Sequence, residues 1–139
     1  MTDKRKTSQE RRITREIILK MLYNLDISGN DSEIALQNVL KFEGSGYDKE
    51  YLNILSHGIV SNLTAIDKII QKKSRNWKIN RISRIDKALL RMAIFEIRFL
   101  KDIPSAVSIN EAIELAKEYS TDDSGKFVNG ILGSLVEEK

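Results

Sequence analysis

Basic and aromatic side chains near the start of the chain are spaced as neighbours on one face of a helix. That face comprises Arg12, Glu16, Lys20 and Tyr23, at intervals of four, four and three residues, with Arg11 and Arg15 one step round the helix. The arginine guanidinium donates paired hydrogen bonds to phosphate oxygens, and an aromatic ring gives a nucleobase a surface on which to stack. The pattern therefore predicts a surface for single-stranded RNA. The alternative is an ordinary exposed helix with Tyr23 half buried in a helical bundle.

Phe127, near the end of the chain, is the second candidate. One aromatic residue paired with Ile131 at i+4 is usually core, so a buried Phe127 is the simpler interpretation. However, Gly125, Gly130 and Gly133 interrupt the same helical pattern, and each costs about 1 kcal/mol relative to alanine inside a helix. We expect compensation for these glycines, either from close helix packing or from close approach of a partner's backbone.

Residues that could perform catalysis are scarce. The chain has no cysteine and a single histidine, His57, and it lacks the glycine-rich phosphate-binding motifs. Glu96 lies in the most apolar segment, with no histidine or second carboxylate beside it. We expect Glu96 to be hydrogen-bonded to a neighbouring helix start as a structural residue. The sequence therefore predicts a protein that is not an enzyme and that needs no cofactor or metal.

Charge is strongly segregated along the 139 residues, although the net charge is only +3. Residues 1–20 carry +4 and residues 72–91 carry +7, whereas residues 21–71 and 92–139 each carry −4. Asp86 is the single acidic residue among the eight basic residues of the second basic block. Two basic blocks on an acidic body favour contact with a polyanion. The alternative is that they are solvated helix faces.

Apolar residues recur with helical period almost throughout, which predicts an all-α bundle of about seven helices. The first helix begins near Ser8 and ends before Gly29, and Asp31 or Ser32 caps the second. A basic connector with Trp77 precedes a central fifth helix. Ser108 and Glu111 fit a capping box for the sixth helix, and residues 121–124 open the seventh. No run of about 18 apolar residues and no signal peptide is visible, so we expect a soluble cytoplasmic protein.

Several sequence motifs follow one another along the chain. The first is the arginine-rich segment 11–16, followed by Leu22-Tyr23. The others are IDKALLR from Ile85, Phe95-Glu96, Ile103-Pro104, INEAIELAK from Ile109 and KFVNGIL from Lys126, with Asp123-Ser124 just before it. In their order and spacing, which cover nearly the whole chain, these motifs resemble those of the NusB family of bacterial transcription antitermination factors.

The resemblance implies one RNA-binding domain over residues 1–139, with two packed helical subdomains at roughly 1–75 and 76–139. It implies binding of boxA RNA together with NusE, a small-subunit ribosomal protein, and assembly with other Nus factors and RNA polymerase to support ribosomal RNA transcription. Carried over by position, the RNA side is Arg11, Arg12, Arg15, Tyr23, Asp123, Lys126 and Phe127, and the NusE side is Asp86. Ile13 stands where many relatives carry arginine, and we expect Lys4, Arg5 and Lys6 to supply that charge.

Two other interpretations stay open from the sequence. The chain could be a detached relative of the NusB-like module that precedes the catalytic domain of ribosomal RNA cytosine methyltransferases. It could also be a helical adaptor that binds only proteins, with basic blocks that aid solubility. The sequence leaves open whether the protein is a monomer or a homodimer.

Overall fold

The computed structural model describes residues 4–75 and 77–137, with side chains from residue 7 onward. Within these residues there are seven α-helices and one short 3₁₀ helix, and no strand. The α-helices are α1 (Lys4–Ser28), α2 (Ser32–Leu40), α3 (Lys49–Ser61), α4 (Leu63–Ser74), α5 (Arg84–Phe99), α6 (Ser105–Tyr119) and α7 (Asp122–Glu137); the 3₁₀ helix is Ile79–Arg81. The predicted all-α fold is confirmed.

The helices form two compact units that divide between Ser61 and Asn62. This division precedes the boundary expected near residue 75, so α4 belongs to the second unit and not to the first. The reason is that α4 packs on α5 and α7. Arg91 of α5 also donates two hydrogen bonds of 2.8 Å to the carboxylate of Asp67 in α4.

In the first unit, α1 packs on α2 and α3. The inner face of α1 is fully buried together with apolar residues of α3; these residues are Ile17, Ile18, Met21, Leu22, Leu55 and Ile59. Gly29 ends α1 in the left-handed region, with φ of 68°, as its sequence position predicted. Asp31 caps α2, since its carboxylate accepts a hydrogen bond of 2.9 Å from the Glu33 N–H.

In the second unit, α5 lies at the centre and packs on α4, α6 and α7. Glu96 of α5 is buried and accepts a hydrogen bond of 2.7 Å from the Ser108 hydroxyl in the first turns of α6. The predicted structural role of Glu96 is therefore confirmed. The capping box predicted at Ser108 and Glu111 is wrong, because α6 begins earlier, at Ser105, with Pro104 in the capping position. No helix in the described part of the chain is long and apolar enough to cross a membrane.

Candidate nucleic-acid interface

The outer face of α1 is open to solvent, as the spacing of its residues predicted. Arg12 is exposed, and Tyr23 is 40% exposed. These two residues are eleven positions apart, which on a helix amounts to about 20° of rotation and about 16 Å of rise. Between them, Lys20 is engaged by Glu43 through an ion pair of 2.6 Å. This face therefore presents an exposed cation at Arg12 and an exposed aromatic ring at Tyr23.

Arg11 and Arg15 lie instead against Tyr51 of α3. Their guanidinium carbons are 4.7 Å and 5.6 Å from the centre of the Tyr51 ring, within the range of cation–π attraction. Arg15 is only 4% exposed, and its Nη2 donates a hydrogen bond of 3.4 Å to the Tyr51 hydroxyl. The structure thus places Arg15 in the interior of the first unit and not on the open face with Arg12.

Tyr51 is a residue that the sequence interpretation missed, because its apolar spacing predicted only core. It is 4% exposed, yet its ring is the surface on which two arginines lie. The start of α3 is held in place by α1: Thr14 Oγ1 accepts a hydrogen bond of 2.9 Å from the Asp48 N–H, and the Asp48 carboxylate accepts one of 3.0 Å from the Tyr51 N–H. No local sequence signal could connect Tyr51 to arginines some forty residues earlier.

Arg11 keeps unused hydrogen-bonding capacity. Its Nε is buried and has no hydrogen-bond partner among the described residues. A buried donor without an acceptor costs about 1–3 kcal/mol. Ile13 supplies no charge; its Cδ1 lies 3.4 Å from the point where a Cβ on Gly46 would stand. The side chains of Lys4, Arg5 and Lys6 lie outside the described residues.

The second group of predicted RNA-binding residues lies on α7, in the second unit. Asp123 and Lys126 are exposed, and Phe127 is half buried. Their spacing of three and four residues places them on one helix face. Phe127 is therefore neither a fully buried core residue nor a free surface ring, and part of it stays open to a ligand. The candidates on α1 belong to the first unit, and those on α7 belong to the second unit.

The glycines of α7 have different environments. Gly125 is buried, and a Cβ built on it would stand 3.4 Å from Cγ of Lys117 and 3.6 Å from Cγ2 of Ile113, which is ordinary van der Waals contact with α6. Gly130 is exposed, with nothing within 4 Å of a Cβ, and Gly133 has equally open space. Of these three glycines, Gly125 alone therefore lies against α6, and its surroundings would accommodate a Cβ. Gly130 leaves open space one helical turn beyond Phe127.

Asp86 lies in the first turn of α5 and is 8% exposed. The cap of this helix is Ser83, whose hydroxyl accepts a hydrogen bond of 3.1 Å from the Asp86 N–H. The Oδ1 atom of Asp86 is buried and has no hydrogen-bond partner among the described residues. Asp86 is thus a carboxylate with an acceptor atom that the described residues leave unsatisfied.

Fold and surfaces together define an all-helical protein whose exposed cations and aromatic rings suit a nucleic-acid ligand. The model of the NusB family matches residues 12–137. The chain is 45% identical to the transcription antitermination protein NusB of Acetivibrio thermocellus, covering 93% of this chain and 90% of that one. It is 47% identical to the NusB of Alkaliphilus oremlandii, covering 93% and 94%. The chain belongs to the NusB family.

Solved structures agree with this assignment. The structure of Thermotoga maritima NusB superposes with a TM-score of 0.83 at 40% identity, covering 92% of this chain and 91% of that one. A crystal structure of the antitermination factors NusB and NusE in complex with double-stranded RNA gives a TM-score of 0.83 at 26% identity, covering 94% and 98%.

Proposed function

We propose that this protein is a non-catalytic RNA-binding factor of transcription antitermination, acting in the cytoplasm during ribosomal RNA transcription. The observation that carries the proposal is the half-buried Arg11 guanidinium, which is held on the Tyr51 ring. A phosphate oxygen is the acceptor that a guanidinium fits best, because arginine binds phosphate through charge-assisted hydrogen bonds. The names of the relatives, which are transcription antitermination proteins, support the same role.

The RNA ligand is boxA RNA, bound by residues with distinct tasks. Arg11 and Arg12 bind phosphate groups, which gives affinity without much sequence preference. Tyr23 and Phe127 offer partly exposed rings on which unpaired bases stack. On α7, Lys126 adds charge, while the Asp123 carboxylate accepts hydrogen bonds from base amino groups, as carboxylates do for cytosine N4. Arg15 supports RNA binding indirectly, because its contacts with the Tyr51 side chain help to hold that ring in place.

The protein partner is NusE, and its contact includes Asp86. Asp86 is 8% exposed, and its carboxylate would accept a hydrogen bond from a cationic or N–H donor of the partner. The solved complex of a relative with NusE and RNA supports a joint complex of this kind. Assembly with other Nus factors and RNA polymerase follows from the same role.

Titration of labelled RNA tests this proposal directly. Four RNAs are compared, each with and without purified NusE: boxA-like and scrambled single strands, and a duplex form of each. Because contacts to several phosphates dominate the affinity, log Kd should depend steeply on log salt, with a slope magnitude of about 0.7 for each phosphate on single strands. We expect NusE to raise the affinity for boxA RNA more than that for scrambled RNA.

A protein-only adaptor gives a different result in the same titration. It would bind neither RNA at moderate salt, and its complex with NusE would hardly respond to added salt, because apolar contacts are not screened. That outcome would refute the RNA-binding role. Equal affinity for boxA and scrambled RNA, with or without NusE, would refute the boxA specificity alone.

A further inference from the structure

The connector between α4 and α5 contains the only tryptophan of the chain, Trp77, which is exposed and has basic neighbours in the sequence. Trp77 is 53% exposed. The exposed cations around it in the sequence are Lys72, Arg75, Lys78, Arg81 and Arg84. This is the most basic stretch of the chain, and the RNA-binding residues proposed above on α1 and on α7 include none of it. An aromatic ring exposed among cations is a combination to which single-stranded nucleic acids bind.

Hydrogen bonds hold the backbone of the connector at Trp77. The Trp77 carbonyl accepts a hydrogen bond of 2.7 Å from the Ser74 hydroxyl and one of 3.1 Å from Gln71 Nε2. Gln71 Oε1 accepts a hydrogen bond of 2.9 Å from the Ile79 N–H. The Trp77 N–H donates a hydrogen bond of 3.2 Å to the Ser74 carbonyl. The indole is thus exposed on a backbone that is fixed in advance. Binding to a pre-organised ring loses less conformational entropy than binding to a free loop.

Two cations that follow Trp77 in the sequence, Lys78 and Arg81, are available for a ligand. Both are exposed, and the Arg81 N–H donates a hydrogen bond of 2.8 Å to the Lys78 carbonyl. Neither side chain forms an ion pair with another described residue. Arg91, by contrast, is buried and committed to Asp67. The free positive charge of this block therefore concentrates at the connector.

We propose that Trp77, Lys72, Lys78 and Arg81 form a second contact site for single-stranded RNA, in which a base stacks on the indole while the cations bind the adjoining phosphates. We refer to these four residues as the connector site. The proposal extends the proposed function, since the ligand is the same class of molecule at a different surface. Charge complementarity favours RNA, because its phosphates neutralise several cations at once and a basic surface with an aromatic ring is the usual surface for single strands.

Intrinsic fluorescence gives a direct test, because Trp77 is the only tryptophan of the chain. Unlabelled oligouridine is titrated into the full chain at low salt, and the emission of Trp77 is followed beside the anisotropy of labelled oligouridine. We expect saturable quenching with the same midpoint as the anisotropy change. Trp77→Ala should weaken oligouridine binding about 10-fold, since stacking of one base contributes about 1–3 kcal/mol. Trp77→Phe should retain most of the affinity.

Matched variants separate this site from the first one. Phe42→Ala removes another exposed aromatic residue, outside the basic block, and should leave both signals unchanged. Lys78→Gln with Arg81→Gln should lower the slope of log Kd against log salt by about 1.4, for two lost phosphate contacts on a single strand. Melting temperatures establish that the variants are folded.

Three outcomes would overturn the connector site. RNA could bind, by anisotropy, without changing Trp77 emission, while Trp77→Ala binds as the parent does. Oligouridine could fail to bind even at low salt. Finally, purified NusE could quench Trp77 where RNA does not, in which case the surface binds protein. The proposed function is judged separately, by whether Arg12→Ala weakens boxA binding when Trp77 is intact.

Discussion

The guanidinium carbon of Arg11 lies 4.7 Å from the centre of the Tyr51 ring, so a residue of α3 fixes the direction of a cation on α1. Arg15 lies over the same ring at 5.6 Å, farther inside the unit. Tyr51 is consequently a positioning residue: it is buried, yet it orients the donor that we assign to phosphate. Conversion of a flexible arginine into an oriented one reduces the entropy lost on binding.

Substitutions of Tyr51 should therefore affect RNA binding from within the core. Tyr51→Phe keeps the ring and should bind RNA nearly as the parent does, whereas Tyr51→Leu loses the cation–π contact, which contributes about 0.5–2 kcal/mol. We expect several-fold weaker RNA binding for the leucine variant, measured by anisotropy below its melting temperature. Equal affinities for the two folded variants would show that Arg11 needs no aromatic support.

Arg12→Ala should weaken binding of boxA and scrambled RNA alike, because a phosphate contact carries no base information. The slope of log Kd against log salt should become shallower by about 0.7, the value for one contact on a single strand. Lys41→Ala is the matched control, since Lys41 is an exposed cation elsewhere in the first unit. A salt slope that is the same for both variants would remove Arg12 from the interface.

Phe127→Ala distinguishes stacking from packing. A half-buried ring loses less stability on truncation than the 3–5 kcal/mol typical of a buried phenylalanine, so we expect a loss of about 1–2 kcal/mol. Loss of one stacked base should weaken boxA binding by about one to two decades. Melting temperature and RNA affinity are measured on the same samples. A large drop in melting temperature with unchanged affinity per folded molecule would assign Phe127 to the core.

Gly130→Ala should move stability and RNA binding in opposite directions. Since a Cβ at Gly130 meets nothing within 4 Å, alanine should stabilise α7 by about 0.5–1 kcal/mol through its higher helix propensity. If Gly130 permits close approach of RNA beside Phe127, the same methyl group should weaken binding several-fold. Gly133→Ala, also in open space, should give the stability gain with the affinity intact. Unchanged RNA affinity in Gly130→Ala would leave that glycine without a role in binding.

Asp86 offers a test of the NusE contact. Asp86 is only 8% exposed, so Asp86→Lys should destabilise α5 as well as change the charge of the contact. Asp86→Asn keeps the shape and removes the charge, and it should weaken NusE binding by about 10-fold or more if a cationic group pairs with the carboxylate. Calorimetry with NusE measures this, with RNA affinity in the absence of NusE as the control. Undiminished NusE affinity would place Asp86 outside the contact.

Helix positions and the NusB family were determined by the sequence itself. The period of the apolar residues, the left-handed Gly29 and the Asp31 cap are local features, fixed by residues within a few positions of one another. The start of α6 was misplaced because Ser108 and Glu111 fit a capping pattern, whereas Pro104 permits an earlier start and Ser108 is needed by Glu96. A local capping preference is overridden when a buried carboxylate requires a hydrogen-bond donor.

The tertiary structure alone decided which arginines are available to a ligand. On the sequence, Arg11, Arg12 and Arg15 form one basic cluster, yet Arg12 is exposed while Arg15 is buried against Tyr51. In the second basic block, Arg91 likewise forms an ion pair with Asp67 inside the protein. The helical period predicts on which face of its helix a side chain lies. It does not predict which residues of another helix pack against that face. An arginine's long apolar stem and planar head suit either environment, so its neighbour in space determines whether it is exposed to solvent or stabilises the core.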